Sequence, residues 1–368
     1  MKILFFTNIP SPYRVMFFNG LSQKCDLTVI YERNSASDRN DKWKMENNSD
    51  YEIYYLKGIK YSNDASISLD FRKFIKANGY DLIVVSGYSS LTQILLITYL
   101  RRKHIPFILS IDGAIQKPES KAKYALKAKL ISSASYWLST GKESNRFLIN
   151  HGAEKSRIYW YPFTSLCRED ILNSPLSSSE KEEAKEKIGC KDKKVVLSVG
   201  QPIYRKGFDI LIRAMKQFRE KDVCAIIVGG NPGPECVEEM EKAKEADIKF
   251  IPFKTKGELS IYFRAADVFV LPTREDIWGL VINEAMAYGL PVITTDKCNA
   301  GLELVIDGQN GYLVPTENEI ELYKAIFNVL YIAEWRTLSC NSLSQIESYS
   351  IDNMVNKHIE IFNDILRK

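Results

Sequence analysis

Two carboxylates stand eight positions apart in the second half of the chain, at Asp276 and Glu284. The apolar run 268–271 before them predicts a buried strand, and residues 279–287 predict a helix that ends near Pro291. A strand, a polar loop and a helix in this order place a ligand crevice at the carboxyl edge of a parallel sheet. The helix start offers backbone N–H groups to an anion, and the two acids offer acceptors to hydroxyls. A ligand with both a phosphate and several hydroxyl groups would fit this site, and a nucleotide sugar is such a ligand.

A second group of polar residues follows another predicted strand, 195–199, which runs into Gly200. The next loop carries Arg205 and Lys206 directly before Gly207. Arginine offers a planar fork and lysine a point charge, and both can face a pyrophosphate. Negative charge grows on a departing diphosphate, so fixed cations there stabilise the transition state more than the ground state. The alternative is a solvated basic turn.

The segment 273–291 resembles the glutamate–seven–glutamate signature of retaining GT-B glycosyltransferases of family 4, also called glycosyltransferase group 1. Arg-Lys-Gly at 205–207 matches one common form of the basic loop in that family. The first acid of this chain is Asp276, which is one methylene shorter than the usual glutamate and changes the reach of the carboxylate. The resemblance is strong over about 195–315 and mostly architectural before that.

The resemblance implies roles for these residues. Arg205 and Lys206 would stabilise the leaving diphosphate, Asp276 would hold sugar hydroxyls, and Glu284 would accept hydrogen bonds from the ribose. The alternatives are a helix N-cap for Asp276 and an exposed helical glutamate for Glu284. Amides of 277–280 would donate to the diphosphate. The expected donor-binding residues are Gly200, Gly229, Phe253, Ile277, Trp278, Gly279, Leu280 and Val281.

Two members of that set rest on position alone. Gly229 ends another predicted strand and would let the backbone approach the nucleotide, although a plain turn explains it equally well. Its surroundings lack the Gly-x-Gly-x-x-Gly pattern, so they do not argue for NAD. Phe253 lies where the family holds the base edge.

In the first half, candidate acceptor contacts follow two predicted strands. Arg14 comes after a loop with two prolines, where family members often have glycines, so this loop should be stiff. Asp112 and Gly113 stand near the point where many relatives carry a histidine that contacts the donor sugar. A simple Asp-Gly turn is the alternative for this pair.

Alternating apolar runs and helical patterns predict doubly wound parallel sheets. The predicted strands are 3–7, 27–31, 82–86, 107–111 and 136–138 in the first half, and 195–199, 225–228, 248–251, 268–271 and 292–294 in the second. The resemblance implies a GT-B fold, with two Rossmann-like domains facing across a cleft and a C-terminal helix crossing back to the first. We expect an acceptor domain at 1–170, a linker at 171–192, a donor domain at 193–345 and the crossover helix at 346–368.

Composition excludes several classes of protein. The chain has 368 residues, of which 45% are hydrophobic and 26% charged, and this composition predicts a globular protein. The formal net charge of +4 is too small to indicate nucleic-acid binding by itself. The seven cysteines are scattered, which favours a cytosolic, reduced protein. The three histidines lie far apart, which disfavours a zinc site. No apolar stretch reaches the ~20 residues of a membrane span, and the N-terminus is too short for a signal peptide.

The predicted activity is transfer of a sugar from a nucleoside diphosphate sugar to a hydroxyl, with retention of configuration. The family generally needs no metal, the sequence has no Asp-x-Asp, and we expect no cofactor beyond the donor substrate. Eight basic residues between 101 and 130 suit a lipid-linked glycan acceptor or peripheral contact with the anionic inner face of a membrane. Bacterial relatives often build capsule or O-antigen there. A solvated basic surface is the alternative. The rival functions are a GT-B nucleotide-sugar epimerase or hydrolase, and a non-catalytic nucleotide-sugar binding protein.

Overall fold

The computed structural model describes residues 1–34, 50–62, 65–77, 79–218 and 222–368. The chain divides into two compact units. The first unit comprises Met1–Ser165 together with Tyr349–Lys368, and the second comprises Leu166–Ser348. A parallel sheet forms the centre of each unit.

In the first unit, the strands have the following bounds: β1 Lys2–Thr7, β2 Asp26–Tyr31, β3 Glu52–Tyr55, β4 Ile59–Ser62, β5 Ala65–Ile67, β6 Leu82–Ser86, β7 Ile108–Ser110, β8 Tyr136–Ser139 and β9 Ile158–Trp160. The main sheet has the order β3-β2-β1-β6-β7-β8-β9, and each neighbouring pair is parallel. A separate antiparallel pair joins β4 and β5. The helices between these strands are α1 Pro12–Ser22, α2 Phe71–Ala77, α3 Leu91–Arg102, α4 Lys121–Ile131 and α5 Lys142–Asn150.

The second unit repeats this architecture. Its strands are β10 Lys194–Val199, β11 Val223–Val228, β12 Asp247–Ile251, β13 Val268–Leu271, β14 Val292–Thr295 and β15 Gly311–Val314. Its helices are α6 Ser178–Lys187, α7 Phe208–Met215, α8 Pro234–Lys242, α9 Lys256–Ala265, α10 Leu280–Ala287, α11 Asn299–Leu304, α12 Glu319–Phe327 and α13 Trp335–Ile346. The strand order is β12-β11-β10-β13-β14-β15, with parallel pairing throughout.

The last helix, α14 Ile351–Arg367, belongs to the first unit, where it packs against α1. Most of its apolar residues are buried on one face, whereas Leu366 is 45% exposed. Gly20 of α1 permits the close approach, because a Cβ atom there would lie 3.0 Å from Cγ2 of Val355. The ring of His358, on the same buried face, packs at an angle against the rings of Phe17 and Tyr161, with centroids 4.6 Å apart in both pairs.

Continuous apolar runs explain why the central strands are the ones that sequence predicts. Strands such as β1, β6 and β13 are buried along almost their whole length, because helices cover both faces of a parallel sheet. The predicted strands all occur, with bounds that differ by at most two residues at an end. The prediction omits the edge strands β3, β9 and β15 and the separate pair β4 and β5, each of which is only three or four residues long.

The segment 171–192, for which the sequence predicts a linker, contains α6 and lies in the second unit. Two buried lysines of α6, Lys181 and Lys185, form ion pairs with Asp267 at 2.8 and 3.2 Å. Lys181 also lies over the ring of Trp335, 3.7 Å from its centroid. Burial of these charges together fixes α6 against the start of β13.

Across the described ranges, no helix combines the length and the apolar character that are required to cross a membrane. Within the same ranges, no three His, Cys, Asp or Glu side chains are grouped so that they could hold a metal ion.

Candidate functional site

The carboxyl edge of the second sheet gathers the residues for which the sequence predicts donor binding. Gly200 follows β10, Gly229 follows β11, Phe253 follows β12, and the acidic segment from Asp276 follows β13. These four strands are consecutive in the sheet order, and parallel strands end at the same edge. Topology therefore brings the predicted residues to one edge, although Lys206 and Asp276, for example, are 70 positions apart in the chain.

The basic loop forms a single 3-10 turn, Tyr204–Lys206, between β10 and α7. Gly207 follows with φ of 69°, and a Cβ atom there would lie 2.0 Å from the carbonyl oxygen of Pro272. Glycine is therefore required at this point by both the left-handed conformation and the contact. The Oγ1 of Thr273 donates to the carbonyl of Arg205 at 2.9 Å, which ties the basic loop to the segment after β13.

The two candidate groups meet in an ion pair. Nζ of Lys206 donates to Oδ2 of Asp276 at 2.6 Å, and the two side chains are 13% and 12% exposed. Arg205 lies farther out, with 45% of its side chain exposed and Nη1 at 3.8 Å from the same oxygen. Its Nη1 also donates to the carbonyl of Glu275 at 2.7 Å. The two cations thus surround one carboxylate, and Arg205 keeps much of its surface accessible to an anion.

Backbone hydrogen bonds hold Asp276 in place. Its N–H donates to the carbonyl of Lys297 at 2.8 Å, and its carbonyl accepts from the N–H of Asn299 at 3.2 Å. The next residues continue this pairing, because the N–H of Ala300 donates to the carbonyl of Trp278 at 2.8 Å. Backbone hydrogen bonds therefore join the loop that carries Asp276 to the loop after β14. This fixes the backbone at Asp276, and the N-cap residue of α10 is Gly279 and not Asp276.

The start of α10 follows directly. Gly279 has φ of 100°, and a Cβ atom there would lie 2.8 Å from Sγ of Cys298. The indole of Trp278 is buried and donates to Oδ1 of Asn283 at 3.0 Å, so Trp278 can offer a ligand its backbone but not its ring. The first amides of a helix have no intrahelical acceptor, and Leu280 and Val281 supply those amides here.

The remaining predicted donor residues differ in exposure. The side chain of Ile277 is 51% exposed beside Asp276, and the side chains of Glu284 and Phe253 are half-buried. Gly229 has φ of 144°, and a Cβ atom there would lie 2.1 Å from the carbonyl oxygen of Gly200. The ends of β10 and β11 therefore approach each other closely enough to exclude any side chain at Gly229.

In the first unit, the predicted acceptor residues form a buried cluster. Nη2 of Arg14, in the first turn of α1, lies 2.5 Å from Oδ2 of Asp112, which follows β7. The hydroxyl of Tyr13 donates to the same oxygen at 3.1 Å, and the hydroxyl of Tyr161 lies 3.5 Å from Oδ1. Burial raises the pKa of Tyr13 to about 12. Gly113 is half-buried, and its φ is 144°. Asp112 thus neutralises Arg14, and two phenols complete the shell of the carboxylate.

Sequence reasoning gives no role to Arg274, Tyr13 or Tyr161, which contact predicted residues, or to Asp209, which binds Arg274. The signal for Arg274 was its place two positions before Asp276, at the end of a buried strand. Tyr13 could have been found as the neighbour of Arg14 in the same first turn. Asp209 and Tyr161 carry no local signal, because their partners are distant in the chain.

Part of the second unit matches a known family of proteins. Residues 180–336 match the family model "Glycosyl transferases group 1". An uncharacterized glycosyltransferase of Haemophilus influenzae is 29% identical over 177 residues, which cover 46% of this chain and 49% of that protein. An uncharacterized 41.2 kDa protein in the cps region of Klebsiella pneumoniae is 24% identical over 320 residues, which cover 84% of this chain and 86% of that protein.

Among solved structures, Anabaena HepE in complex with UDP has a TM-score of 0.79 and 19% identity, with coverage of 99% of this chain and 100% of that one. The alignments with the first curated relatives span about half of the length of those relatives. The likeness in structure and the two doubly wound parallel sheets confirm the predicted GT-B fold. The second unit therefore carries, over residues 180–336, a segment that matches the group 1 glycosyl transferases, within a chain of GT-B fold.

Proposed function

We propose that this protein is a retaining glycosyltransferase of family 4 that moves a sugar from a nucleoside diphosphate sugar to a hydroxyl acceptor. The observation that carries the proposal is the contact of Lys206 with Asp276 beside the start of α10. Cations for a diphosphate, helix amides and a carboxylate for sugar hydroxyls stand together there. Few other ligands need all three groups.

Each group has a task in the proposed reaction. Arg205 and Lys206 neutralise charge on the leaving diphosphate, and the amides of Leu280 and Val281 add fixed dipoles. When a diphosphate binds Lys206, Asp276 loses its strongest partner and can accept hydrogen bonds from the sugar. Glu284, one helical turn after Leu280, accepts from the ribose. The leaving phosphate assists deprotonation of the acceptor in a front-face reaction, which needs no metal ion.

The similarity supports UDP as the first nucleotide to test. HepE, the structural neighbour, was solved with UDP and with UDP-glucose. Arg205 and Lys206 read the diphosphate that all such donors share, so these cations do not select among nucleotides. The half-buried ring of Phe253, after β12, is our candidate for the contact that does.

We propose a glycan or a lipid-linked glycan as the acceptor, in cell-envelope polysaccharide synthesis, and a cytoplasmic location at the inner face of the membrane. The supporting observation is α4, whose residues 121–126 are exposed on every side. Tyr124 and Leu126 are 42% and 47% exposed among lysines. Lys127 is different, because it pairs with Glu119 at 2.7 Å.

The membrane contact has its own test. Vesicles with anionic lipid should retain the protein at low salt, and vesicles of neutral lipid should not. The double variant Lys121→Ala/Lys123→Ala should lose this retention, whereas Lys324→Ala, an exposed lysine of the second unit, should keep it. Equal retention of the wild type by neutral and anionic vesicles would contradict the proposal.

The activity is tested by thermal shift of the purified protein with UDP-, GDP-, ADP- and dTDP-sugars, followed by donor turnover with each hit. The expected result is stabilisation by one nucleotide sugar and slow hydrolysis that a hydroxyl acceptor converts to transfer. Turnover that ignores every acceptor would favour an epimerase or hydrolase. Binding without any turnover would favour a non-catalytic binding protein. Stabilisation by none of the donors would contradict the proposal.

A further inference from the structure

Arg274 lies at the centre of a cluster that borders the basic loop. Its Nη1 donates to the carbonyl of Tyr204 at 2.6 Å, and its guanidinium lies over the Tyr204 ring, 3.8 Å from the centroid. Its backbone N–H donates to the carbonyl of Arg205 at 2.8 Å. One residue thus makes three contacts with a turn of three residues. Lys206, the last residue of that turn, directly follows Arg205, so these contacts also hold the backbone that leads into Lys206.

Two carboxylates hold the other side of the guanidinium. Nη1 and Nη2 of Arg274 donate to Oδ1 and Oδ2 of Asp209 at 2.8 and 2.7 Å, and Glu317 binds Nε and Nη2. The side chains of Arg274 and Asp209 are 12% and 7% exposed. Burial opposes ionisation of Asp209, but its hydrogen bonds to Arg274 hold the net pKa of the carboxyl below its ordinary value. The plane of the guanidinium is therefore fixed by both carboxylate oxygens of Asp209, on α7, and by the carboxylate of Glu317, which precedes α12.

This arrangement matters because the turn has little structure of its own. A 3-10 turn of three residues supplies few backbone hydrogen bonds, and Tyr204 is 59% exposed. A displacement of about 1 Å in a charge that stabilises a transition state lowers the rate by about a hundredfold. Lysine at 274 could not replace the arginine, because an ammonium lacks the planar fork and the face that stacks on an aromatic ring.

We propose that Arg274 is a positioning residue, which places Arg205 and Lys206 for the donor diphosphate by clamping Tyr204 against Asp209 and Glu317. The proposal rests on the proposed function. Arg274 acts through the turn, and the ion pairs that hold it leave its own charge neutralised. The effect of Arg274 on catalysis should therefore require Arg205 and Lys206.

The test compares Arg274→Gln with Arg213→Gln in nucleotide-sugar turnover and in UDP binding. Arg213 is a matched control, because it shares Asp209 at 3.1 Å and lies 3.8 Å from Glu317, while its ion pairs in the described structure go to carboxylates and not to the turn. We expect Arg274→Gln to lower turnover by about tenfold or more, and Arg213→Gln by less than about twofold.

A double-mutant cycle separates positioning from general stability. In an Arg205→Ala/Lys206→Ala background, Arg274→Gln should lower turnover by less than about twofold, because both charges that it positions are absent. An equal loss in both backgrounds would overturn the proposal. If Arg274→Gln fails to fold, Arg274→Lys takes its place in the cycle, with the same expectation.

The two proposals fail in different ways. A wild type that turns over no nucleotide sugar and binds no UDP would contradict the proposed function, and this inference with it. A wild type that is active, together with an equally active and folded Arg274→Gln variant, would contradict the inference alone. Equal losses in Arg274→Gln and Arg213→Gln would assign the effect to the carboxylates and likewise overturn it.

Discussion

Nζ of Lys206 lies 2.6 Å from Oδ2 of Asp276, although the two residues are 70 positions apart in the chain. Each belongs to a loop that follows a strand, and those strands, β10 and β13, are direct neighbours in the sheet. The carboxylate of Asp276 pairs with the cation that we assign to the diphosphate. Donor binding would then exchange one anion for another at Lys206, and would release Asp276 for the sugar.

Lys206→Ala should lower donor turnover by about two orders of magnitude or more, because it removes a charge from the departing diphosphate. Unfolding temperature should change little, since Arg205 stays 3.8 Å from Asp276. Turnover and thermal unfolding are measured on the same sample. Lys324→Ala, which removes an exposed lysine of α12, is the control. Full activity of Lys206→Ala would contradict the role of Lys206 at the diphosphate.

Asp276→Asn should separate binding from catalysis. Loss of the negative charge frees Lys206, so UDP should bind as well as before or more tightly. Turnover should still fall by about tenfold or more, because a charged acceptor for the sugar hydroxyls is lost. Calorimetric titration with UDP and a turnover assay give the two quantities. A parallel loss of both would show that Asp276 supports the fold of the loop and does not act on the sugar.

Glu284→Gln should weaken binding of UDP by about tenfold, since an amide replaces a charged acceptor for the ribose hydroxyls. Shape and helix propensity hardly change, so the unfolding temperature should stay close to that of the wild type. Glu238→Gln, on the exposed side of α8, is the matched control. Unchanged UDP affinity in Glu284→Gln would leave Glu284 as an ordinary helical glutamate.

Gly207→Ala should destabilise the second unit by more than the ~1 kcal/mol that a left-handed alanine costs. The added Cβ atom would lie 2.0 Å from the carbonyl oxygen of Pro272, so the basic loop must move. Gly308→Ala is the control, because its φ is 72° and no atom lies within 4 Å of the added Cβ. Chemical unfolding and turnover should separate the two variants, and equal losses would deny the importance of the contact.

His358 should make the first unit less stable as the pH falls. Burial lowers the pKa of His358 to about 4, whereas an unfolded histidine has a pKa near 6.5. Between these values the unfolded chain binds the extra proton, so stability is lost progressively from about pH 6.5 downward, by a total on the order of 3 kcal/mol. His358→Phe should remove this part of the pH dependence. Urea unfolding between pH 7 and pH 4.5 measures the free energy of unfolding at each pH. An identical dependence of this free energy on pH in the wild type and in His358→Phe would contradict the prediction.

Much of the fold could be predicted because its central strands are buried on both sides. Runs such as 82–86 and 268–271 are apolar from end to end, and burial leaves little room for another composition. The edge strand β15 could not be predicted, because it is short and begins at Gly311. For segment 171–192 the composition predicts a linker. It does not show that Lys181 and Lys185 of α6 are buried against Asp267, because Asp267 lies far along the chain.

The sequence by itself determined the chemistry: which loops carry cations or acids, and where glycine must stand beside them. Local spacing sufficed for this, since each loop follows its own apolar strand. Only the tertiary structure decided which loops meet. Strand order is set by packing across the whole sheet, and it puts β10 beside β13 and thus Lys206 against Asp276. For the same reason, no local pattern shows that Arg274 clamps Tyr204 against Asp209 and Glu317.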